Sequence, residues 1–157
     1  MKIKIGKFPN HWPWSNWLYD KFGYSPEQKV KVHIDPWDTW SMDHTLAPII
    51  LPMLKQLKDN KHGAPNVDLE DVPEELRPTN TEEWQKLYNE GGETDDKFFE
   101  RWDWVMDEMI YAFDCKANKD EVYMRFDIDD RDGMKQEQDR ISNGFRLFGK
   151  DYENLWD

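Results

Sequence analysis

The sequence of 157 residues predicts an α+β fold that is mainly helical, with about three main helices packed on a small antiparallel sheet. Two short segments alternate apolar and polar residues, which is typical of strands. Three longer segments carry apolar residues at helical spacing. Aromatic residues make up 15% of the chain, and nine of them are Trp, so the chain has the composition of an ordered protein. Its length predicts a single domain over residues 1–157.

The strand segments are KIKI at 2–5 and KVKVHID at 29–35. If they pair, their alternation predicts an apolar face toward a core, made of Ile3, Ile5, Val30, Val32 and Ile34. The opposite face then carries Lys2, Lys4, Lys29, Lys31 and His33. Between these segments, the stretch SNWLYDKF predicts one helical turn in an aromatic-rich loop, and a further strand is predicted over 121–129.

The first main helix is predicted to open near Pro36, with Asp38 or Thr39 as N-cap. Its predicted core face contains Met42, Leu46, Ile49, Ile50, Met53, Leu54 and Leu57. A short helix near 80–89 ends before Gly91 and Gly92. The clearest helix is predicted over 95–115. A final helix over 138–156 is predicted to follow a polar turn.

The net charge of −12 is unevenly distributed. Residues 1–35 contain six Lys against Asp20, Glu27 and Asp35, a net of +3, and the remainder has 15 basic and 30 acidic residues, a net of −15. This excess of acid disfavours long nucleic acid and an anionic membrane surface as partners. No run of about 18 apolar residues could span a bilayer. The single cysteine, Cys115, cannot form an internal disulfide, which is typical of cytoplasmic proteins.

The Lys face and the Trp residues connected to it in sequence (Trp12, Trp14, Trp17, Trp37 and Trp40) predict a ligand site. Ammonium groups can bind phosphate, and an indole ring offers a base a flat stacking surface. The pattern therefore favours a small nucleotide-like ligand. The alternative is structural: the Lys residues protect a solvated strand edge and the Trp residues lie in the core.

The predicted pocket lies between the Lys-lined strands and the start of the first main helix. In it, Trp37 and Trp40 stack on the ligand, lysines bind phosphate, and Asp43 or His44 contacts a sugar or base edge. The predicted ligand-binding residues are Lys29, Lys31, Trp37, Trp40, Asp43, His44, Lys55 and Lys58, with Arg101, Arg140, Asn143 and Arg146 as secondary candidates.

A second candidate site is an acidic stripe on the helix predicted over 95–115. It consists of Asp96, Glu100, Asp103, Asp107 and Asp114. Adjacent carboxylates suit Mg²⁺, so Glu100, Asp103 and Asp107 form an alternative metal and catalytic site of a nucleotide pyrophosphohydrolase-like enzyme. The simplest interpretation of the stripe is a solvated helix face, and another is the docking surface of an acidic inhibitor for a cationic host protein. No nucleophile or complete acid–base group is recognisable, so a non-catalytic protein without a cofactor is favoured.

Several long strings resemble a family of uncharacterised proteins encoded by large tailed bacteriophages. They are WDTWSMD with the following LPMLKQLK, then DVPEELR and RWDWVMDEM. The resemblance implies a phage accessory protein acting in the cytoplasm of the bacterial host, and it implies no reaction. In that setting the ligand would be a nucleotide-type immune signal that the protein sequesters to evade host defence. The resemblance also allows a homo-oligomer.

Overall fold

A computed structural model describes residues 1–6, 14–24, 27–92, 94–118 and 130–156. The chain divides into two compact units, Met1–Thr45 and Leu46–Asp157. The secondary structure is mainly helical with a small antiparallel sheet, as the sequence predicts. The elements are β1 (Lys2–Ile5), α1 (Ser15–Phe22), β2 (Val30–His33), α2 (Met42–Asn60), α3 (Thr81–Gly91), α4 (Phe98–Ala117) and α5 (Arg131–Lys150), with short 3-10 turns at Pro36–Thr39, Leu69–Asp71, Glu74–Leu76 and Tyr152–Asn154.

The sheet of the first unit consists of β1 and β2, which pair antiparallel with Ile3 opposite Val32 and Lys4 opposite Lys31. The predicted separation of apolar and basic faces is therefore confirmed. The predicted burial of the apolar face is wrong: Ile3, Ile5, Val30, Val32 and Ile34 are all exposed. Among the described residues of this unit, only Ser15 is buried, so nothing described there covers the sheet.

The core of the second unit forms around α4. Its apolar face follows the predicted helical spacing, and Trp102, Val105, Met106 and Met109 are completely or almost completely buried. Ala47 and Leu54 of α2 and Leu147 of α5 complete this core. Phe99, which follows Phe98 in the first turn of α4, is exposed.

The apolar face of α2 is rotated from the predicted one. Ala47 and Leu54 are buried, whereas Met42, Leu46 and Met53 are exposed. The helix begins at Met42, because a separate 3-10 turn over Pro36–Thr39 precedes it, and Asp35 instead of Asp38 caps that turn.

The last helix begins earlier than predicted. Asp130 caps α5 by accepting a hydrogen bond from the backbone N–H of Gly133, so residues 131–137 are helical where a polar turn was expected. The predicted strand over 121–129 lies outside the described residues. In the described part of the chain, no helix has both the length and the apolar character needed to cross a bilayer.

A buried carboxylate fastens the 3-10 turn over Leu69–Asp71 to α5. Asp71 accepts hydrogen bonds from Arg146 and Lys150. Burial alone would raise the pKa of Asp71, but the hydrogen bonds from Lys150 and Arg146 outweigh it and lower the pKa below its ordinary value of 3.8. The charged carboxylate is therefore the form that stabilises the fold.

We expect Asp71→Asn to lower the free energy of unfolding at pH 7 by about 1–2 kcal/mol, because hydrogen bonds to a charged group are lost. The folded pKa is lowered, so this stabilisation is present above about pH 4 and is lost as the pH falls through the folded pKa. Urea unfolding at pH 7 and pH 3 measures both effects. If variant and wild type differ in unfolding free energy by the same amount at both pH values, the charge of Asp71 does not contribute to stability.

Candidate functional site

The basic face of the sheet brings together the lysines of both strands. Lys2 lies opposite His33, and Lys4 lies directly opposite Lys31. Lys29 precedes β2 and falls on the same face by alternation. Directly opposite side chains on one face of an antiparallel pair have Cβ atoms about 4.5–5.5 Å apart, so Lys4 and Lys31 repel each other. This face attracts anions.

The sheet lysines have no carboxylate partner among the described residues. Within the described ranges, Lys2, Lys4, Lys29 and Lys31 form no ion pair. All four are exposed. Their charge is therefore available to an external anion, and no described acidic side chain needs to be displaced first.

The turn over Pro36–Thr39 follows β2 after two residues and presents Trp37, while Trp40 ends it. Asp35 and Asp38 hold the turn reciprocally: the Asp35 side chain accepts from the backbone N–H of Trp37, and the Asp38 side chain accepts from the backbone N–H of Asp35. The Thr45 hydroxyl donates to the Asp38 carbonyl oxygen at 2.9 Å, which links the turn to the start of α2. The two indoles therefore project from a well-braced backbone.

The side chains of Trp37 and Trp40 are among the most exposed apolar groups of the chain, at 76% and 81%. Their ring centroids are 6.1 Å apart and the ring planes meet at 45°. Rings tilted in this way cannot enclose a base between two parallel faces. One indole can stack on a base while the other contacts its edge.

The turn is also joined to the beginning of β1. The N-terminal ammonium of Met1 donates to the Asp38 carboxylate at 2.8 Å. This hydrogen bond, together with the one from the Asp35 backbone, lowers the pKa of Asp38. The Trp pair and the Lys2 end of the basic face are thus parts of one connected structure.

Asp43 and His44 lie in the first turn of α2. The His44 Nε2 atom is 3.6 Å from Asp43 Oδ2. The two residues predicted to contact a sugar or base edge therefore contact each other. Neither side chain is free of partners. Their contact with a ligand stays a prediction.

Lys55 and Lys58, predicted to bind phosphate, form ion pairs with the acidic stripe. Lys55 pairs with Asp114 at 3.4 Å, Lys58 pairs with Asp107, and Lys61 pairs with Asp103. As the lysine numbers increase, the numbers of their aspartate partners in α4 decrease. The lysines therefore neutralise three of the five carboxylates of the stripe, which leaves less of the lysine charge for a ligand.

The same ion pairs bear on the alternative metal site at Glu100, Asp103 and Asp107. Two of its three carboxylates are held by the ammonium groups of Lys58 in α2 and of Lys61, the residue after α2. Across the described ranges, no group of three His, Cys, Asp or Glu side chains has the placement needed to hold a metal ion.

Arg101 and Arg140, predicted as secondary ligand contacts, are both engaged inside the second unit. Arg101 is 1% exposed, and its guanidinium donates to the Asp95 carboxylate and to the Leu76 carbonyl oxygen. Arg140 donates to both oxygens of the Glu108 carboxylate and lies 3.7 Å from the centre of the Tyr111 ring. Both positions give the arginines a structural role.

Tyr111 belongs to the same cluster. Burial and the hydrogen bond that its hydroxyl donates to Glu137 raise the pKa of Tyr111 to about 12. The phenol therefore stays protonated at neutral pH. Together with the Arg140 pair, it fastens α5 to α4.

Asn143 and Arg146 act together on the surface of α5. The Asn143 side-chain oxygen accepts from Arg146 Nε at 3.0 Å, and Arg146 donates onward to Asp71. These contacts orient the arginine toward the turn at Leu69–Asp71. Of the basic residues predicted to bind the ligand, Lys29 and Lys31 of the sheet are therefore the ones without a carboxylate partner in the described ranges.

An apolar groove in the second unit was not predicted as a site. Its volume is about 840 Å³, and no charged side chain lines it. Met53, which the sequence places on a core-facing side, and Tyr152 line this groove and are 60% and 65% exposed. The other lining residues are Ile50, Leu54, Gln56, Leu57, Asn60, Phe148 and Leu155. Its chemistry suits uncharged ligands, so it offers no site for phosphate.

Comparison of the chain with protein-family models, with curated proteins and with solved structures gave no match. A function must therefore be argued from the chemistry of the site.

Proposed function

We propose that the protein is a non-catalytic binding protein that captures a small phosphate-bearing ligand, a nucleotide, on the basic face of the sheet and the adjoining pair Trp37 and Trp40. The observation that carries the proposal is the cross-strand pair of Lys4 and Lys31, two like charges without a carboxylate partner among the described residues. A phosphate between them replaces repulsion with two charge-assisted hydrogen bonds.

The spacing of the site suits a ligand with both phosphate and base. Two residues along a strand cover about 7 Å, which is the separation expected between the Lys4–Lys31 pair and the Lys2–His33 pair. The Trp turn adjoins the second of these pairs through Met1 and Asp38. A phosphate at Lys4 and Lys31 would leave the sugar and base directed along the sheet toward the indoles.

The resemblance to phage proteins supports a more specific form of the proposal. The ligand would be a nucleotide-type immune signal of the bacterial host, and the protein would sequester it in the host cytoplasm. Sequestration needs affinity and excess protein, and it needs no catalytic group. The predicted homo-oligomer belongs to this proposal as well.

Isothermal titration with ADP-ribose, cyclic AMP and cyclic di-AMP tests the proposal. We expect at least one of them to bind with a dissociation constant of about 10 μM or lower. Adenosine lacks phosphate and pyrophosphate lacks a base, so each should bind at least about tenfold more weakly than the best nucleotide. Absence of heat from every nucleotide at about 100 μM would refute the proposal.

Substitution of the stacking residues should reduce affinity without affecting stability. Trp37→Ala and Trp40→Ala each remove an exposed ring, and loss of one base-stacking contact costs about 1–3 kcal/mol, or about 5- to 150-fold in affinity. The double variant should bind no better than the weaker single variant. Unchanged affinity in both single variants would contradict a stacking role.

The phosphate contacts can be tested against a matched control. Lys31→Gln removes an unpaired cation of the basic face, whereas Lys58→Gln removes a cation that Asp107 already neutralises. We expect Lys31→Gln to weaken nucleotide binding by about tenfold and Lys58→Gln to change it little. A larger loss with Lys58→Gln would show that Lys58, which the sequence also predicts as a phosphate contact, binds the phosphate instead.

Met53→Glu introduces a charge at the apolar groove and leaves the basic face unchanged. Nucleotide affinity should therefore be unaltered in this variant. A loss of affinity would assign the ligand to the groove instead.

A further inference from the structure

The first unit exposes far more apolar surface than the second. Of the nineteen large apolar side chains that are exposed in the described ranges, fourteen belong to Met1–Thr45. The exposed fractions on the apolar sheet face are 37% for Ile3, 53% for Ile5, 56% for Val30 and 55% for Val32. A regular apolar face of this kind is typical of a sheet packed against another layer.

The sheet also lacks the size that would make it stable alone. It has two strands of four residues each among the described residues. An isolated two-stranded hairpin is marginally stable in water, and stable sheets need more strands or a packed apolar face. The Ile–Val face therefore requires a covering layer.

We propose that this layer is the same face of a second copy of the chain, so that the protein forms a symmetric dimer through the apolar faces of β1 and β2. Each face would supply the layer that the other lacks, at the spacing of about 10 Å typical of packed sheets. A twofold interface is self-complementary, so identical apolar faces suffice to build it.

The charge distribution favours a second copy at this face. Lys2, Lys4 and Lys31 lie on the opposite face, so the contact brings none of these cations together. Residues 1–45 contain six Lys against Asp20, Glu27, Asp35, Asp38 and Asp43, a net of +1. The remaining 15 basic and 28 acidic residues give −13. Association through the second unit would oppose two strongly acidic surfaces, whereas the first unit is nearly neutral.

The first unit also exposes aromatic side chains outside its sheet. Trp14, Trp17, Tyr19, Phe22 and Tyr24 are exposed by 47% to 68%. At about 150–250 Å² for each aromatic side chain, they offer roughly 600 Å² in addition to the sheet face. Added to the sheet face, this exposed apolar area of the first unit is comparable with the roughly 800 Å² per partner of a stable interface. The dimer leaves the basic face open, so it does not depend on nucleotide binding.

Sedimentation equilibrium of the whole chain from roughly 1 to 200 μM tests the dimer. We expect the wild type to be dimeric through most of this range. Val32→Glu and Ile5→Glu place charge at the centre of the contact and should raise the dissociation constant of the dimer at least about tenfold. The control is Met53→Glu, an apolar-to-Glu change at a side chain 60% exposed in the second unit, which should leave the dimer intact.

Circular dichroism verifies that each variant keeps its helices. Wild-type protein that is monomeric at every concentration would overturn the proposal. So would a dimer that both Val32→Glu and Ile5→Glu leave unchanged, because it would have to form through another surface. If Val32→Glu unfolds, Ile5→Glu and the wild-type concentration series still decide the question.

Discussion

Gly144→Ala is expected to destabilise the second unit by about 2–3 kcal/mol, although Ala is normally the better helix former. A Cβ at Gly144 of α5 would lie 2.4 Å from the backbone oxygen of Glu108 and 2.6 Å from the Ala112 Cβ. Both atoms belong to the body of α4, so the helices would have to move apart. The cost of this overpacking should exceed the gain of about 1 kcal/mol in helix propensity.

Gly149→Ala provides the matched control, because no atom lies within 4 Å of a Cβ at this position of the same helix. It should leave stability unchanged or raise it by up to about 1 kcal/mol. Urea unfolding of both variants measures the difference. Equal effects at the two positions would contradict the close packing of α5 against α4.

Arg101→Met is expected to cost about 3 kcal/mol in unfolding free energy. The side chain is 1% exposed and joins α4 to the segments containing Asp95 and Leu76. Its removal leaves the Asp95 carboxylate and the Leu76 carbonyl oxygen without their donor. Asp95 retains some access to water, at 21% exposure. We therefore expect a loss of unfolding free energy at the lower end of the range typical of broken buried ion pairs.

A double-mutant cycle separates the ion pair from the loss of packing. Arg101→Met combined with Asp95→Asn should cost clearly less than the two single changes added together, by about 1–2 kcal/mol, because no unpaired charge remains. Additive costs would contradict the pairing. An Arg101→Met variant of normal stability that binds nucleotide poorly would restore Arg101 as a ligand contact.

The helices of the second unit could be predicted from sequence where one face is strongly apolar. The spacing from Phe98 to Phe113 predicts α4 because each buried side chain recurs with the helical period. The beginning of α5 has no such signal, since Met134 is the one large apolar residue in its first two turns. Tertiary contacts fix that region instead, through the Tyr111–Glu137 hydrogen bond and the Arg140–Glu108 pair.

The sheet shows a different limit of sequence reasoning. Alternation in KIKI and KVKV correctly predicts which side chains share a face, because side-chain direction alternates along a strand. It does not reveal whether another layer covers that face. The burial of Ile3 and Val32 was therefore predicted wrongly, although their register was correct.

The candidate site could be predicted only in part, for a related reason. The exposed Trp pair and the Lys face follow from local sequence. The pairing of Lys55 and Lys58 with Asp114 and Asp107 depends on how α2 packs against α4, which the pattern of either helix alone does not contain. The three-residue spacing of Lys55, Lys58 and Lys61, which spans the last turn of α2 and the residue after it, was an available signal for this pairing.

The most direct measurement of the central claim is the response of individual indoles to a nucleotide. In ¹⁵N-labelled protein titrated with ADP-ribose, the indole N–H resonances of Trp37 and Trp40 should shift progressively and saturate together. The resonance of Trp102, which is 1% exposed in the core, should stay in place. Saturable binding of ADP-ribose that shifts other residues and leaves both Trp37 and Trp40 unmoved would contradict the account.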